Sequence, residues 1–226
     1  MINRRLIIST GAVTAASALL ASPADAATRP TLRRGDSGSA VVTLQKRLHT
    51  LGYWCGAADG DFDWLTQQAV MAIQKVAGLT RSGVCGSGTW AALDKGTRPG
   101  ARYGGTHIEI HKYRQILKVV VDGRVHRIAN TSTGGGYTYY QDGVAHKAVT
   151  PSGSFKVWWR YTSGWQNGTL GMMYKPAYFN RGIAIHGSTS VPSYPASHGC
   201  CRVTPSFMNY LYSKYWVQVG DRVIVY

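Results

Sequence analysis

Apolar residues change their spacing once along the chain, near residue 100. In "SGSAVVTLQKRLHTLGY", Val41, Leu44, Leu48 and Leu51 recur at helical intervals and form one stripe. "TQQAVMAIQKVAGL" repeats the pattern with Ala69, Val70, Ile73 and Val76; Thr66 is placed to cap the helix and Gly78 to stop it. Between them "ADGDFD" reads as a turn. Its alternating aspartates imitate a calcium loop, but the bidentate glutamate such a loop needs is missing. "GTRPGARYGG", residues 96–105, reads as a linker. Beyond it the period becomes two. Ile108 and Ile110 share one strand face, and His107, Glu109 and His111 share the other, which is expected to be solvated rather than zinc-binding. "ILKVVVDGRVHRIA" predicts a hairpin turning at Asp122-Gly123, and "SGSFKVWWRYT", "GIAIHG" and "DRVIVY" predict further strands. "TPSFMNYLYSKY" is the clear helix of this half, capped by Thr204 with Pro205 in the first turn. The expected architecture is two domains, a small all-α one over residues 31–95 and a mostly-β one over 106–226.

The first residues change the chemical setting. "MINRR" is basic, "LIISTGAVTAASALLA" is apolar, and Ala24-Asp25-Ala26 has small residues where signal peptidase cuts. Residues 1–26 therefore read as an export signal without a permanent membrane anchor; Arg4-Arg5 also fits a twin-arginine signal. The net charge of +15 survives cleavage almost unchanged and favours polyanions outside the cell. No nucleic-acid-binding signature accompanies it. In an oxidising compartment Cys55 and Cys85, inside one small domain, are expected to form a disulfide staple.

That pairing leaves Cys200 and Cys201 of "YPASHGCCRV" without partners, and a bond between neighbours would be strained. In extended chain, successive side chains point to opposite faces. His198 and Arg202 then share the face of Cys200, an electropositive setting that stabilises a thiolate. Cys201 shares the small, apolar face of Gly199 and Val203. Cys200 is the nucleophile candidate and Cys201 a core residue. Gly199 leaves room for a substrate carbonyl to reach backbone donors. A thiol needs a base, and both His186, closing "GIAIHG", and His198 are in reach by spacing alone.

Two resemblances bear on these choices. The segment "GDSGSAVVTLQKRLHTLGYWCGAADGDFDWLTQQAVMAIQKVAGLTRSGVCGSGTWAAL" resembles a peptidoglycan-binding domain of the three-helix type, departing from it at Asp63, where that family usually has glycine. "IHGSTSVPSYPASHGCCR" resembles the signature of the L,D-transpeptidase (YkuD-like) catalytic domain, a His-Gly followed by Ser-His-Gly-Cys-x-Arg. "STGGG", "TPSGSF" and "MYKPAYF" stand where that family has related segments. The resemblance implies a β-sandwich-like catalytic domain in which His186 is the base and Cys200 the nucleophile. Gly187, Ser197, His198, Gly199 and Arg202 support the oxyanion or the substrate, and neither metal nor cofactor takes part. It implies an exported wall enzyme that acylates Cys200 with a tetrapeptide stem, releases D-alanine and forms 3→3 crosslinks in peptidoglycan. Carbapenem-type inhibitors would react at the same thiol. The segment from His186 to Cys200 is short for the family and holds two prolines, which implies a reduced, stiff cover over the cleft. The competing readings are an L,D-carboxypeptidase, a wall endopeptidase using the same Cys-His pair, and a catalytically silent wall-binding protein.

Overall fold

A computed structural model describes residues 29–214 and 216–226. The export signal of residues 1–26 lies outside the described residues. No described helix is long and apolar enough to cross a membrane.

Three helices form the N-terminal unit: α1 (Ser39–Thr50), α2 (Trp64–Ala77) and α3 (Ser87–Asp94). The first stripe is buried as its spacing predicts, with Val41, Leu44 and Leu48 against Val70, Ile73, Trp90 and Leu93. The cap of α2 is Asp63, not Thr66. The Asp63 carboxylate accepts the Thr66 N–H at 2.8 Å, while the Thr66 hydroxyl turns inward to accept the Gln45 side-chain amide at 3.1 Å. Gly78 ends α2 in the left-handed region, at φ 71°. Gln45 also closes the Asp-Gly turn: its Nε2 donates to Asp59 Oδ1 (2.9 Å) and the Asp61 carbonyl (3.1 Å), and its Oε1 accepts the Gly60 N–H (2.9 Å).

Cys55 and Cys85, expected to pair, are free, buried thiols in this structure. The Cys55 thiol donates weakly to the Gln45 carbonyl at 3.7 Å, and the Cys85 backbone exchanges hydrogen bonds with Leu32. Burial pushes both thiols up to about 12, so they act as small apolar residues at neutral pH.

The second half is two packed sheets and a helix. One sheet runs β3 (Arg124–Asn130), β2 (Ile116–Val121), β1 (His107–His111), β12 (Arg222–Val225), β6 (Gly153–Lys156). The other runs β11 (Cys201–Val203), β10 (Ile183–Gly187), β9 (Gly171–Asn180), β7 (Trp159–Arg160), with β8 (Trp165–Gly168) also on β9. Strands β4 (Thr138–Gln141) and β5 (Val144–Lys147) form a separate hairpin, and α4 (Pro205–Ser213) packs on β9 and β10. Ile108, Ile110, Val119, Ile185, Cys201, Val203 and Phe207 belong to the core of this half. The Asp122-Gly123 turn has positive φ at both positions, 48° and 73°, as a two-residue hairpin requires. Thr204 caps α4 by accepting the Phe207 N–H at 3.1 Å.

The other face of β1 departs from expectation. His107 and Glu109 are buried, not solvated, because residues 96–105 fold back over them. Glu109 accepts from the Arg102 N–H (2.9 Å), the Tyr103 N–H (3.0 Å), the Tyr226 hydroxyl (3.1 Å), His107 Nε2 (2.9 Å) and the Lys118 ammonium. Lys118 also donates to the Gly100 carbonyl at 2.7 Å, and His111 is half-buried beside Tyr226. The linker is thus strapped to the sheet. The helical unit is joined as firmly, since Trp54 N–H donates to Ile128 O and Ile128 N–H to Gly52 O, both at 2.9 Å. Ile116 and Ile128 belong to the helical core itself.

Candidate active site

Strand β10 is apolar until it reaches His186, and β11 lies parallel beside it with Ile185 opposite Cys201 and His186 opposite Arg202. Parallel neighbours need a crossover, and residues 188–200 provide it. This register sets Cys200 at the mouth of the strand pair. The alternation argument holds: Cys201 is fully buried in the core, while Cys200, His198 and Arg202 line one cavity of about 430 Å³. His186, Ser188, Ser190 and Ser197 line it as well. Of the residues singled out in the sequence, five therefore converge on one space.

The two glycines have different roles. A Cβ on Gly187 would meet Pro205 Cα and Tyr174 Cβ at 2.9 Å, so Gly187 permits α4 and β9 to pack close to the end of β10. Gly199 has φ +145°, and its N–H is already taken by the Ser197 hydroxyl at 3.1 Å rather than offered to a substrate. Ser197 in turn donates to the Cys200 carbonyl at 2.5 Å, and the Thr150 hydroxyl donates to the Gly199 carbonyl at 2.6 Å. These bonds lock the turn on which the thiol sits.

The Cys200 sulfur accepts the Ala184 N–H at 3.4 Å and its thiol faces the Gly182 carbonyl at 3.7 Å. Burial raises its pKa, opposed by the Ala184 donor and the Arg202 charge. His186 is 5% exposed, and burial pulls its pKa down to about 4. The bond from its Nδ1 to the Gly187 carbonyl (2.9 Å) opposes that shift, and Arg202 adds to it. With Nδ1 carrying the proton, Nε2 is left as the acceptor. The pair thus rests as neutral thiol and neutral imidazole. His198 differs. It is less buried, and the rings of Tyr137 and Tyr139 stand edge-on to it at 5.4 and 4.7 Å. Burial and Arg202 also lower its pKa.

The short 188–200 crossover does not leave the cavity bare. Gly168, Thr169, Leu170 and Gly171 of the β8–β9 turn, with Met172, Met173 and Tyr178, form its wall. The β4–β5 hairpin touches that turn through Gln141 Nε2 and Thr169 Oγ1 at 3.5 Å. Sequence reasoning missed these residues individually. Tyr178 lies in "MYKPAYF", but nothing local distinguishes the Gly168–Gly171 turn as part of a cavity or Tyr137 and Tyr139 as neighbours of His198. His146 is on β5 and stacks on Tyr139 at 5.4 Å. A thiol, a buried imidazole and a guanidinium facing one cavity are the parts of nucleophilic acyl transfer.

Comparison with known proteins follows the same division of the chain. Residues 37–93 match the peptidoglycan binding domain family and residues 105–225 the L,D-transpeptidase catalytic domain (YkuD) family. A crystal structure of an L,D-transpeptidase from Xylanimonas cellulosilytica is 49% identical, with a TM-score of 0.83 over 86% of this chain and 97% of that one. Among curated relatives, the N-acetylmuramoyl-L-alanine amidase CwlM of Mycobacterium tuberculosis is 43% identical over 56 residues, which are 25% of this chain and 14% of that protein. The spore cortex-lytic enzyme of Bacillus cereus is 39% identical over 67 residues, 30% of this chain and 26% of that protein. The chain thus spans only a minor part of the length of these two relatives.

Proposed function

Because the chain belongs to the L,D-transpeptidase catalytic domain family, we propose that it is an exported cell-wall enzyme that forms 3→3 crosslinks between peptidoglycan stems. The observation carrying this reading is the sorting of the two adjacent cysteines. Cys200 shares a cavity with His186 and Arg202, and Cys201 is sealed in the core.

In this reading the tetrapeptide stem enters the cavity with its L-to-D peptide bond at the Cys200 sulfur. His186 Nε2 takes the thiol proton as sulfur attacks the carbonyl carbon, so the thiolate is generated only at the moment of reaction. The C–N bond then breaks, and the imidazolium returns its proton to the departing D-alanine amine. A thioester remains on Cys200. The side-chain amine of a diamino acid on a second stem attacks it, loses its proton to His186 and frees the thiol. Arg202 lies opposite His186 on the neighbouring strand, where its charge suits a stem carboxylate. The helical unit holds the enzyme on the polymer and raises the local concentration of stems. Carbapenem-type β-lactams, which present an acyl carbon to a nucleophile, should form an adduct on Cys200.

The test is mass spectrometry of products formed from disaccharide-tetrapeptides by wild type, Cys200→Ala and Cys201→Ala. Crosslinked dimers from wild type and Cys201→Ala, absent with Cys200→Ala, support the proposal. Tripeptide without dimers makes water the acceptor and the enzyme a carboxypeptidase. Dimers from Cys200→Ala would overturn the assignment of the nucleophile.

A further inference from the structure

The helical unit offers a buried amine that wall binding does not require. Lys75, on α2, is 3% exposed, burial pulls its pKa down to about 6, and its amine reaches out of the helical unit. It donates to the Gln115 carbonyl at 2.9 Å, to the Thr131 carbonyl at 3.3 Å and to the Asn130 side-chain oxygen. All three acceptors belong to the β half, at the β1–β2 turn and the end of β3. A tether would have no need to bury an amine there, since a buried donor is costly unless its acceptors are in place.

What these acceptors hold is the active-site crossover. Thr131 Oγ1 donates to the Arg202 carbonyl at 2.8 Å, and Ser132 and Arg202 exchange backbone bonds at 3.1 and 2.9 Å. The Thr133 carbonyl accepts the N–H groups of Ala196 and Ser197 at 2.9 and 3.0 Å. Gln115 fixes Thr133 from below, through its Oε1 to the Thr133 N–H (2.8 Å) and its Nε2 to the Thr133 hydroxyl (2.6 Å). Residues 130–133 are thus a rail along which the Ser197–Arg202 turn is laid. The helical unit grips the rail and the crossover at two further points. Gln68 on α2 accepts from Asn130 Nδ2 at 2.5 Å, and that same amide donates to the Val191 carbonyl at 3.1 Å. Arg81 donates to the Ser193 carbonyl at 3.1 Å.

We infer that the helical unit is part of the catalytic apparatus, with Lys75 as a positioning residue that fixes, through Asn130 and Thr131, the rail carrying the Cys200 turn. The inference rests on the acyl-transfer reading only for its kinetic readout. Its structural readout is independent of substrate.

The experiment uses the full mature chain carrying Lys75→Met, which keeps the length of the side chain and removes its donors. Lys46→Met, at an exposed position of α1, is the control. Amide hydrogen exchange at Ser197 and Arg202 should quicken in Lys75→Met and stay at the wild-type rate in Lys46→Met. With soluble disaccharide-tetrapeptide, kcat should fall about tenfold or more while KM changes little, because a displaced nucleophile loses rate rather than binding. A Lys75→Met protein that melts earlier but keeps wild-type kcat and wild-type exchange at Ser197 and Arg202 would reduce Lys75 to domain glue and overturn the inference. If Lys75→Met does not fold, Gln68→Met decides. It removes one acceptor from Asn130 and leaves the Lys75 amine in place, so quicker exchange at Ser197 and Arg202 supports the inference and unchanged exchange overturns it. An inactive wild type would refute the acyl-transfer reading alone, since exchange still decides the role of Lys75.

Discussion

Replacing Glu109 by glutamine changes one heavy atom and tests how residues 96–105 are held on the sheet. The carboxylate accepts hydrogen bonds from five groups, of which Lys118 is itself buried and charged. Burial opposes its ionisation, yet the Lys118 and His107 bonds, with the Tyr103 N–H, hold its pKa down at about 2. Lys118 shows the opposite balance, because burial lowers its pKa despite the attraction of Glu109. The pair as a whole therefore adds little over an apolar replacement, but its halves depend on each other. Glutamine leaves Lys118 buried without a counter-charge and turns an N–H₂ group toward groups that donate. Breaking a buried pair in this way costs about 3–5 kcal/mol. For a chain of this size, 2–4 °C per kcal/mol converts that to a loss of roughly 6–20 °C in Tm. Urea unfolding at pH 7 should show the loss as a lower midpoint with an unchanged slope. The pH dependence has a defined sign. A carboxylate whose folded pKa lies below its unfolded value stabilises above about pH 4.5, and that contribution is lost as pH falls toward 2. Glu109→Gln should lack this part of the acid limb. A destabilisation under about 0.5 kcal/mol, the ordinary result at a solvated position, would refute the buried network and restore the exposed strand face.

Three further outcomes follow from the site. Cys200→Ala should abolish turnover and leave Tm close to wild type, whereas Cys201→Ser should keep turnover and lose about 1–3 kcal/mol by burying a hydroxyl in an apolar core; the opposite pattern in melting and product assays would exchange the two roles. The acid limb of kcat/KM should lie near pH 4, because the base must be unprotonated and burial sets His186 at about 4. A limb centred on the ordinary histidine range would point instead to an exposed base. Thr150→Val removes the donor to the Gly199 carbonyl and the acceptor of the Gly134 N–H, so it should cost about 1–3 kcal/mol and lower kcat, read by urea titration and steady-state kinetics. Unchanged kcat would mean that the turn holds its shape without that hydroxyl.

The parts of this fold set by local rules were legible before any coordinates. Helical spacing placed Val41, Leu44 and Leu48 in the core, Asp122-Gly123 made the hairpin, and Thr204 capped α4. Alternation alone separated Cys200 from Cys201, because a strand has only two faces and one of them is core. What stayed hidden depends on contacts distant in sequence. Glu109 alternates as a solvent residue should, and only the return of residues 96–105 over β1 buries it. Thr66 is a good capping residue, but Gln45 in another helix claims its hydroxyl and Asp63 takes the cap. The β8–β9 hairpin that walls the cavity carries no motif, because its role is to fill space beside a site built elsewhere.

The position of His186 shows why the division between legible and hidden matters for chemistry. Its spacing from Cys200 is no more suggestive than that of His198, which is only two residues from the thiol. The structure separates them by environment. His186 ends a buried strand with its Nδ1 tied to a backbone carbonyl, so its ring is fixed and only Nε2 is available. His198 lies on a turn between two tyrosine rings and is open to solvent on one side. A base must meet the thiol in one orientation on every turnover, and a ring held by strand and carbonyl satisfies that condition. The same rigidity has a cost in basicity, because the burial that fixes His186 also weakens it as a proton acceptor. In the proposed reaction the neutral pair would compensate by transferring the proton only as sulfur bonds to carbon, so the site would need no standing thiolate. A core-tethered base and a turn-borne nucleophile would then have different tolerances. Disturbing β10 should first affect proton transfer, whereas disturbing the 130–133 rail should first affect attack.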